Sequence, residues 1–385
     1  MSKLSSFKTA FAEADDWAAV AKGLEQKLAD LVNPPAGFSH LGFIYVTDAL
    51  GDKFSSILTY LRQRTEIEDW VGSIGSGISV DRREFFGRPA AAVMIMTLPT
   101  NTFAVLPTLR HDMSEIPLDV RQWMTLATPP FGVVHGDPLT PRITQLLEAL
   151  SLEIENLTLE IPGFLVGGLA AVPGDGILAA GTATEGGLSG VLFTPEIEVA
   201  TGLSQGCVPV GMSHRVTDCV DNVIMGLDDR QALPVFKEDI GELLARDLRR
   251  VDGYIHVAFP IEGSDMGDYT VRNLQGIDIE RGWIAVGEAV NKGDRILFVR
   301  RDPSSAEQDL RRMVKNLLKR LPEPPHAALY FSCLSRGPNL FGQEGHETEI
   351  IQDLLGDVPL IGFFGNGEIS NNRLYGYTGV LTLFL

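Results

Sequence analysis

WVGSIGSGIS (70–79) and PLIGFFGNGEIS (359–370) carry one glycine spacing twice, near opposite ends of a 385-residue chain. The first reads Gly72-x2-Gly75-x-Gly77 and the second Gly362-x2-Gly365-x-Gly367. Their surroundings match as well. LGFIYVTD (41–48) and FSSILTYLRQRT (54–65) precede the first copy, and AALYFSCL (327–334) and HETEIIQDLLGD (346–357) precede the second. A further apolar run follows each, AAAVMIMTL (90–98) or TGVLTLFL (378–385). Short apolar runs bounded by glycine read as buried strands, and apolar residues at helical spacing, as in Ile57, Leu58 and Leu61, read as a helix. A fainter third copy runs through FGVVHGD (131–137), ITQLLEALSLEI (143–154), FLVGGLAAVPGDG (164–176) and GLSGVLFTP (187–195). The fold expected is α/β, with mixed sheets built from repeated β-α-β-β units in two related halves.

A chain of this length needs more than one core. Residues 1–35 are read as an N-terminal helix, with Trp17, Val20, Ala21, Leu24, Leu28 and Leu31 at helical spacing and a stop at Asn33-Pro34-Pro35. An N-terminal domain is expected over 36–230 and a C-terminal domain over 231–385, with the boundary in MGLDDRQALPVF (225–236). PTLRHDMSEIPLDVRQW (107–123) reads as an irregular surface loop or a lid.

Fifty acidic against 32 basic residues give a net charge of −18. That disfavours nucleic acid and anionic membrane surfaces as partners. Cys207, Cys219 and Cys333 form no CxxC pair and leave an odd count, which fits a reducing compartment and gives no metal-ligand spacing. No apolar run is long enough to span a membrane, and residues 1–35 lack a basic segment followed by an apolar core. A cytoplasmic location is expected.

The run FSCLSRGPNLFGQEGHETEIIQDLLGDVPLIGFFGNGEIS (331–370) resembles the signature of the FIST family of intracellular signal-transduction sensory proteins. The matching positions are Phe331, Cys333, Arg336, Gly337, Glu349, Pro359, Gly362, Phe363, Gly367, Glu368 and Ile369. SGVLF, GLSQGCVPVG and HRVTD resemble the end of the family's N-terminal half, and YTVRNL (269–274) the start of its C-terminal half. The resemblance implies a bacterial ligand-sensing module for small molecules such as amino acids, working with a histidine kinase or a cyclic-dinucleotide enzyme. It also implies an alternative, because some members are haem proteins that sense nitric oxide.

The residues themselves leave three readings open. Arg336, after a buried strand, has the geometry to clamp a ligand carboxylate, and Glu368 to accept its ammonium group. Cys333, Gly337 and the glycines Gly362, Gly365 and Gly367 would complete that site through backbone N–H groups. The competing structural reading pairs Arg336 internally with Glu368 or Glu349, and gives the glycines to close strand packing. A haem would need an axial histidine, for which His256 and His214 are the candidates. A cysteine-dependent enzyme would use Cys333 as its thiolate, with His346 the nearest histidine in sequence.

Overall fold

The computed structural model describes residues 6–157, 163–171, 177–261 and 268–385, so 172–176 of the fainter glycine segment lie outside them. The chain forms two compact units that interleave in sequence. One comprises 1–204, 307–374 and 378–385, and the other 205–306 with 375–377. Compactness therefore divides the chain elsewhere than the sequence boundary at 230/231. The class is α/β with mixed sheets.

The larger unit holds three six-stranded sheets that share one pairing pattern. In the first, Phe38–Thr47 runs parallel to Trp70–Gly75 and antiparallel to Ala90–Pro99. In the second, Phe131–Gly136 runs parallel to Phe164–Leu169 and antiparallel to Leu188–Phe193. In the third, Ala327–Cys333 runs parallel to Leu360–Gly365 and antiparallel to Thr378–Phe384. A parallel pair needs a crossover. The helices Phe54–Thr65, Ile143–Leu157 and His346–Leu355 lie in these connections.

The sheets are completed by exchange. The strand Gly77–Val80, which follows the first glycine turn, leaves its own sheet and pairs with Leu360–Gly365 of the third. Glu368–Ser370, after the third sheet's turn, pairs with Phe164–Leu169 of the second. Leu178–Ala180, from the second segment, pairs with Trp70–Gly75 of the first. The three transfers close a ring, so each sheet borrows an edge from another.

Three glycines make these junctions fit. A Cβ on Gly72 or Gly167 would lie 1.8 Å from the carbonyl oxygen of Ile44 or Val134, and one on Gly362 would lie 1.7 Å from that of Tyr330. In each case the oxygen belongs to the residue in register on the parallel partner. These positions serve close strand approach. One residue beyond those oxygens, Tyr45, His135 and Phe331 meet, joined by Phe363, with the Tyr45 hydroxyl 3.0 Å from His135 Nε2. They sit in a buried apolar cluster that draws Phe43, Met94, Phe193 and Phe384 from all three sheets.

The smaller unit has a different architecture. His214–Val220, Val223–Leu227, Trp283–Val286, Tyr269–Asp278, Ile255–Pro260 and Arg295–Arg301 pair in that order, and the last returns to the first. All these pairings are antiparallel, and closure removes the sheet edges. The helix Ala232–Ala245, broken at Gly241 (φ 78°), places Phe236 against Phe298 within this unit's core. The described residues thus form three sheets of one pattern in one unit and a closed antiparallel sheet in the other.

Two further segments depart from the sequence reading. Ser6–Glu13 is a strand paired along its length with Ala90–Pro99, and the first helix is confined to Trp17–Lys27. Alternating Phe7, Thr9 and Phe11 with Lys8 and Ala10 is a weak strand signal. Within 107–123 the chain is ordered as the end of the strand Phe103–Leu109, a short turn of helix at Met113–Glu115, and the start of the helix Leu118–Ala127.

Gly362→Ala will destabilise the protein by about 3 kcal/mol, because the new methyl group meets backbone rather than a movable side chain. Gly276→Ala, where a Cβ meets nothing within 4 Å, will change stability by less than about 0.5 kcal/mol. Urea unfolding of both variants makes the comparison; equal effects would remove the close-approach account.

Candidate functional site

The third sheet delivers the signature arginine. Ala327–Cys333 brings Tyr330 and Ser332 to its helix-facing side, and a turn closed by Arg336 N donating to the Cys333 carbonyl (2.8 Å) folds Arg336 back. The turn passes through Gly337 (φ 52°), where Phe86 and Phe364 leave no room for a side chain. The next helix, His346–Leu355, presents Glu347.

Arg336 and Glu347 are both 0% exposed and form an ion pair, with Nη2 2.7 Å and Nε 2.8 Å from Oε1. The same carboxylate accepts from the Tyr330 hydroxyl (2.6 Å), the Ser332 hydroxyl (3.2 Å) and Gly337 N (2.9 Å). Pairing with so many hydrogen bonds is what a buried charge requires. Arg336 Nη1 makes no hydrogen bond to the described residues.

Two more buried carboxyl groups stand nearby. Glu84 comes from the borrowed strand Arg83–Phe86 and accepts from Gly345 N (2.9 Å) and Thr348 N (3.2 Å). Glu368 accepts from Thr378 N (3.1 Å) and its hydroxyl (2.8 Å), while its Oε1 has no hydrogen-bond partner among the described residues. Burial raises both groups to about 8, and the negative charge of Glu347 adds to the rise. Burial thus favours the uncharged acid at Glu84 and Glu368, beside the Arg336–Glu347 ion pair.

The structure brings Cys333, Arg336, Gly337 and Glu368 into one neighbourhood, but turns Arg336 inward to Glu347. Glu349, the signature position on that helix, is exposed. Gly362 and Gly365 are engaged in strand packing, with Gly365 against the Leu169 carbonyl, and the Gly367 carbonyl accepts from Leu169 N (2.9 Å). Cys333 is 6% exposed at its strand end. His346 does not serve it, since its ring nitrogens face Gln343 and Glu307, each at 3.1 Å.

The two histidines named as candidate axial ligands sit in different surroundings. His214 has Nδ1 2.6 Å from Asp228 and Nε2 2.8 Å from Asp239, so both nitrogens are engaged. His256 is buried with its ring 4.3 Å from that of Tyr377 and has Asn273 and Gly253 as polar neighbours. Among the described residues no group of three His, Cys, Asp or Glu is placed to hold a metal, and no helix is long and apolar enough to cross a membrane.

Sequence reasoning missed Glu347, Glu84 and the buried Tyr45–His135 pair. Glu347 was accessible from periodicity, because it lies three and four residues before the buried Ile350 and Ile351, whereas Glu349 lies off that face. Glu84 carried no local signal, since its partners are about 260 residues away in the chain.

A model of the FIST N domain matches residues 40–230, and a model of the FIST C domain matches residues 232–371. The chain is 31% identical over 348 residues to the uncharacterized protein Rv0628c of Mycobacterium tuberculosis, covering 87% of this chain and 88% of that one. It is 29% identical over 344 residues to the uncharacterized protein Mb0898c of Mycobacterium bovis, covering 87% of each.

Glu347→Ala strands the Arg336 charge and will cost about 3–5 kcal/mol in chemical unfolding; replacing both partners by apolar residues will recover most of that loss. A double variant as unstable as the single one would show that the pair's net interaction, not the stranded charge, sets the cost. A second expectation concerns His214. Burial alone would lower its pKa, but the carboxylates of Asp228 and Asp239 overcome this and hold it above the ordinary 6.5. Its contribution is then fully present below pH 6.5 and is lost as pH rises through the raised value. The stability gap between wild type and His214→Gln, followed by urea unfolding, will shrink as pH climbs above 6.5; a gap that widens contradicts the clamp.

Proposed function

Because this chain belongs to the FIST family, whose domains are sensory modules of signal transduction, we propose that it binds a small anionic or zwitterionic ligand such as an amino acid. We propose further that it passes the signal to a separate partner, a histidine kinase or a cyclic-dinucleotide enzyme, in the cytoplasm. The observation that carries the reading is the sealed cluster of Arg336, Glu347, Glu368 and Glu84. The charges of the signature motif face one another, and His346, the nearest histidine in sequence, is turned to Gln343 and Glu307. A packed core gains nothing from two acids held uncharged by burial, or from a guanidinium Nη1 and a carboxyl Oε1 that have no hydrogen-bond partner among the described residues.

Such a cluster favours a two-state element. A modest rearrangement that admits water or shifts Glu347 would change the charge on Glu84 and Glu368, so closed and open arrangements differ in electrostatic energy as well as in packing. A ligand that contacts one arrangement better shifts the population toward it, by no more than that difference in contact energy. The partner then reads the population.

Thermal unfolding of the full chain against panels of amino acids, hydroxy and dicarboxylic acids and phosphate is the test. One chemical class will raise the midpoint, by the equivalent of about 2.7 kcal/mol when present at one hundred times its dissociation constant. A flat response across every class would sink the ligand-sensing reading.

A further inference from the structure

The larger unit has a recess of about 400 Å³ lined by Arg110, His111, Asp137, Thr140, Arg142 and the Gly186-Gly187 turn, among others. It lies past the carboxyl end of Phe131–Gly136, the inner parallel strand of the second sheet, where ligands collect in open α/β sheets. The loop that forms its wall, Pro138–Arg142, leads directly into the helix Ile143–Leu157. The third sheet carries Arg336 in the corresponding strand-to-helix connection. There the guanidinium is sealed on Glu347; here Arg142 is exposed.

Three observations converge on this recess. In a chain of net charge −18, its ionisable lining is Arg110, His111 and Arg142 against the single carboxylate of Asp137. That carboxylate is turned to its own loop, accepting from Leu139 N at 2.8 Å. Arg142 has no side-chain hydrogen bond or ion pair to any described residue, and its backbone is left-handed (φ 66°), a conformation that costs energy for a non-glycine residue. Arg110 is fixed by bonds from Nε to the Glu185 carbonyl (3.1 Å) and from Nη2 to the Thr184 hydroxyl (3.3 Å), which orient its guanidinium while leaving Nη1 without a described partner. A second recess of about 410 Å³ differs in kind, for its Arg82 and Arg83 are balanced by Asp81 and Asp357, and Arg82 is bonded to Asp353.

We infer that the Arg110–His111–Arg142 recess binds a small oxyanion, the carboxylate or phosphate group of a soluble metabolite. Arg142 supplies two parallel N–H donors, Arg110 a fixed third, and His111 a further one. The inference rests on the sensory reading, to which it adds the place and charge of the ligand. It assigns the signature Arg336 to the protein's interior and the unpaired Arg142 to the ligand.

Calorimetric titration of the full chain at low ionic strength, with inorganic phosphate in one arm and succinate in the other, tests the assignment. Binding of either anion is expected to weaken tenfold or more in Arg142→Ala and in His111→Ala, and to be unchanged in Arg82→Ala; whichever anion binds names the source. Arg142→Gly, which suits the left-handed backbone, guards against a folding defect and is expected to lose binding equally. Binding by neither anion, or equal binding in wild type and both Arg142 variants, overturns the recess. A ligand from the thermal panel that still stabilises Arg142→Ala as it does wild type also overturns it, yet leaves the sensory reading standing; a wild-type panel that is flat removes that reading itself.

Discussion

The exchange of edge strands among the three sheets is the constraint on which the larger unit depends. An open sheet edge is an unsatisfied row of N–H and C=O groups. Here each parallel strand that follows a crossover helix has its outer edge covered by a strand from a different segment of the chain. Backbone hydrogen bonding and burial are thereby satisfied by one arrangement. The glycines at 72, 167 and 362 are its steric condition, since the carbonyl opposite each leaves no space for a methyl group.

That exchange also explains the electrostatics of the signature cluster. Glu84 reaches the third sheet only because Arg83–Phe86 travels with the borrowed strand Gly77–Val80. Once there it adds a third carboxyl group to a region with one guanidinium. Burial and the charge of Glu347 settle the surplus by favouring the protonated forms of Glu84 and Glu368. Because burial is what favours those forms, the cluster is sensitive to whatever admits solvent.

Much of the larger unit was legible in the chain. The helices at 54–65 and 143–157 and the strands at 90–99, 327–333 and 378–384 follow from apolar period and glycine punctuation. The register glycines were visible as glycines, but not their purpose, since close approach depends on the carbonyl of a residue about thirty positions earlier. Arg336 was read as a ligand clamp, with an internal pair to Glu368 or Glu349 as the competing reading. The structure pairs it with Glu347 instead, two residues before Glu349, a difference that arises because the motif was followed and the helical face was not. The closed antiparallel sheet of the smaller unit was the least legible part. The runs at 254–261, 283–290 and 294–302 read as strands, but the closure is made by Ile255–Pro260 meeting Arg295–Arg301, a pairing without local signature.

The ring of transfers has a temporal meaning as well as a spatial one. The third sheet needs residues 77–86 from the start of the chain, and the second needs 368–370 from near its end. The first in turn needs 178–180. The first sheet has all its strands within residues 6–184, whereas the second and third join strands about 200 to 280 residues apart, and contacts of such long sequence separation are slow to form. Until Glu368 and its neighbours are available, the second sheet has an open edge and the apolar center is incomplete. The second and third sheets are therefore completed after the first, and until then their open edges depend on whatever shields exposed strands.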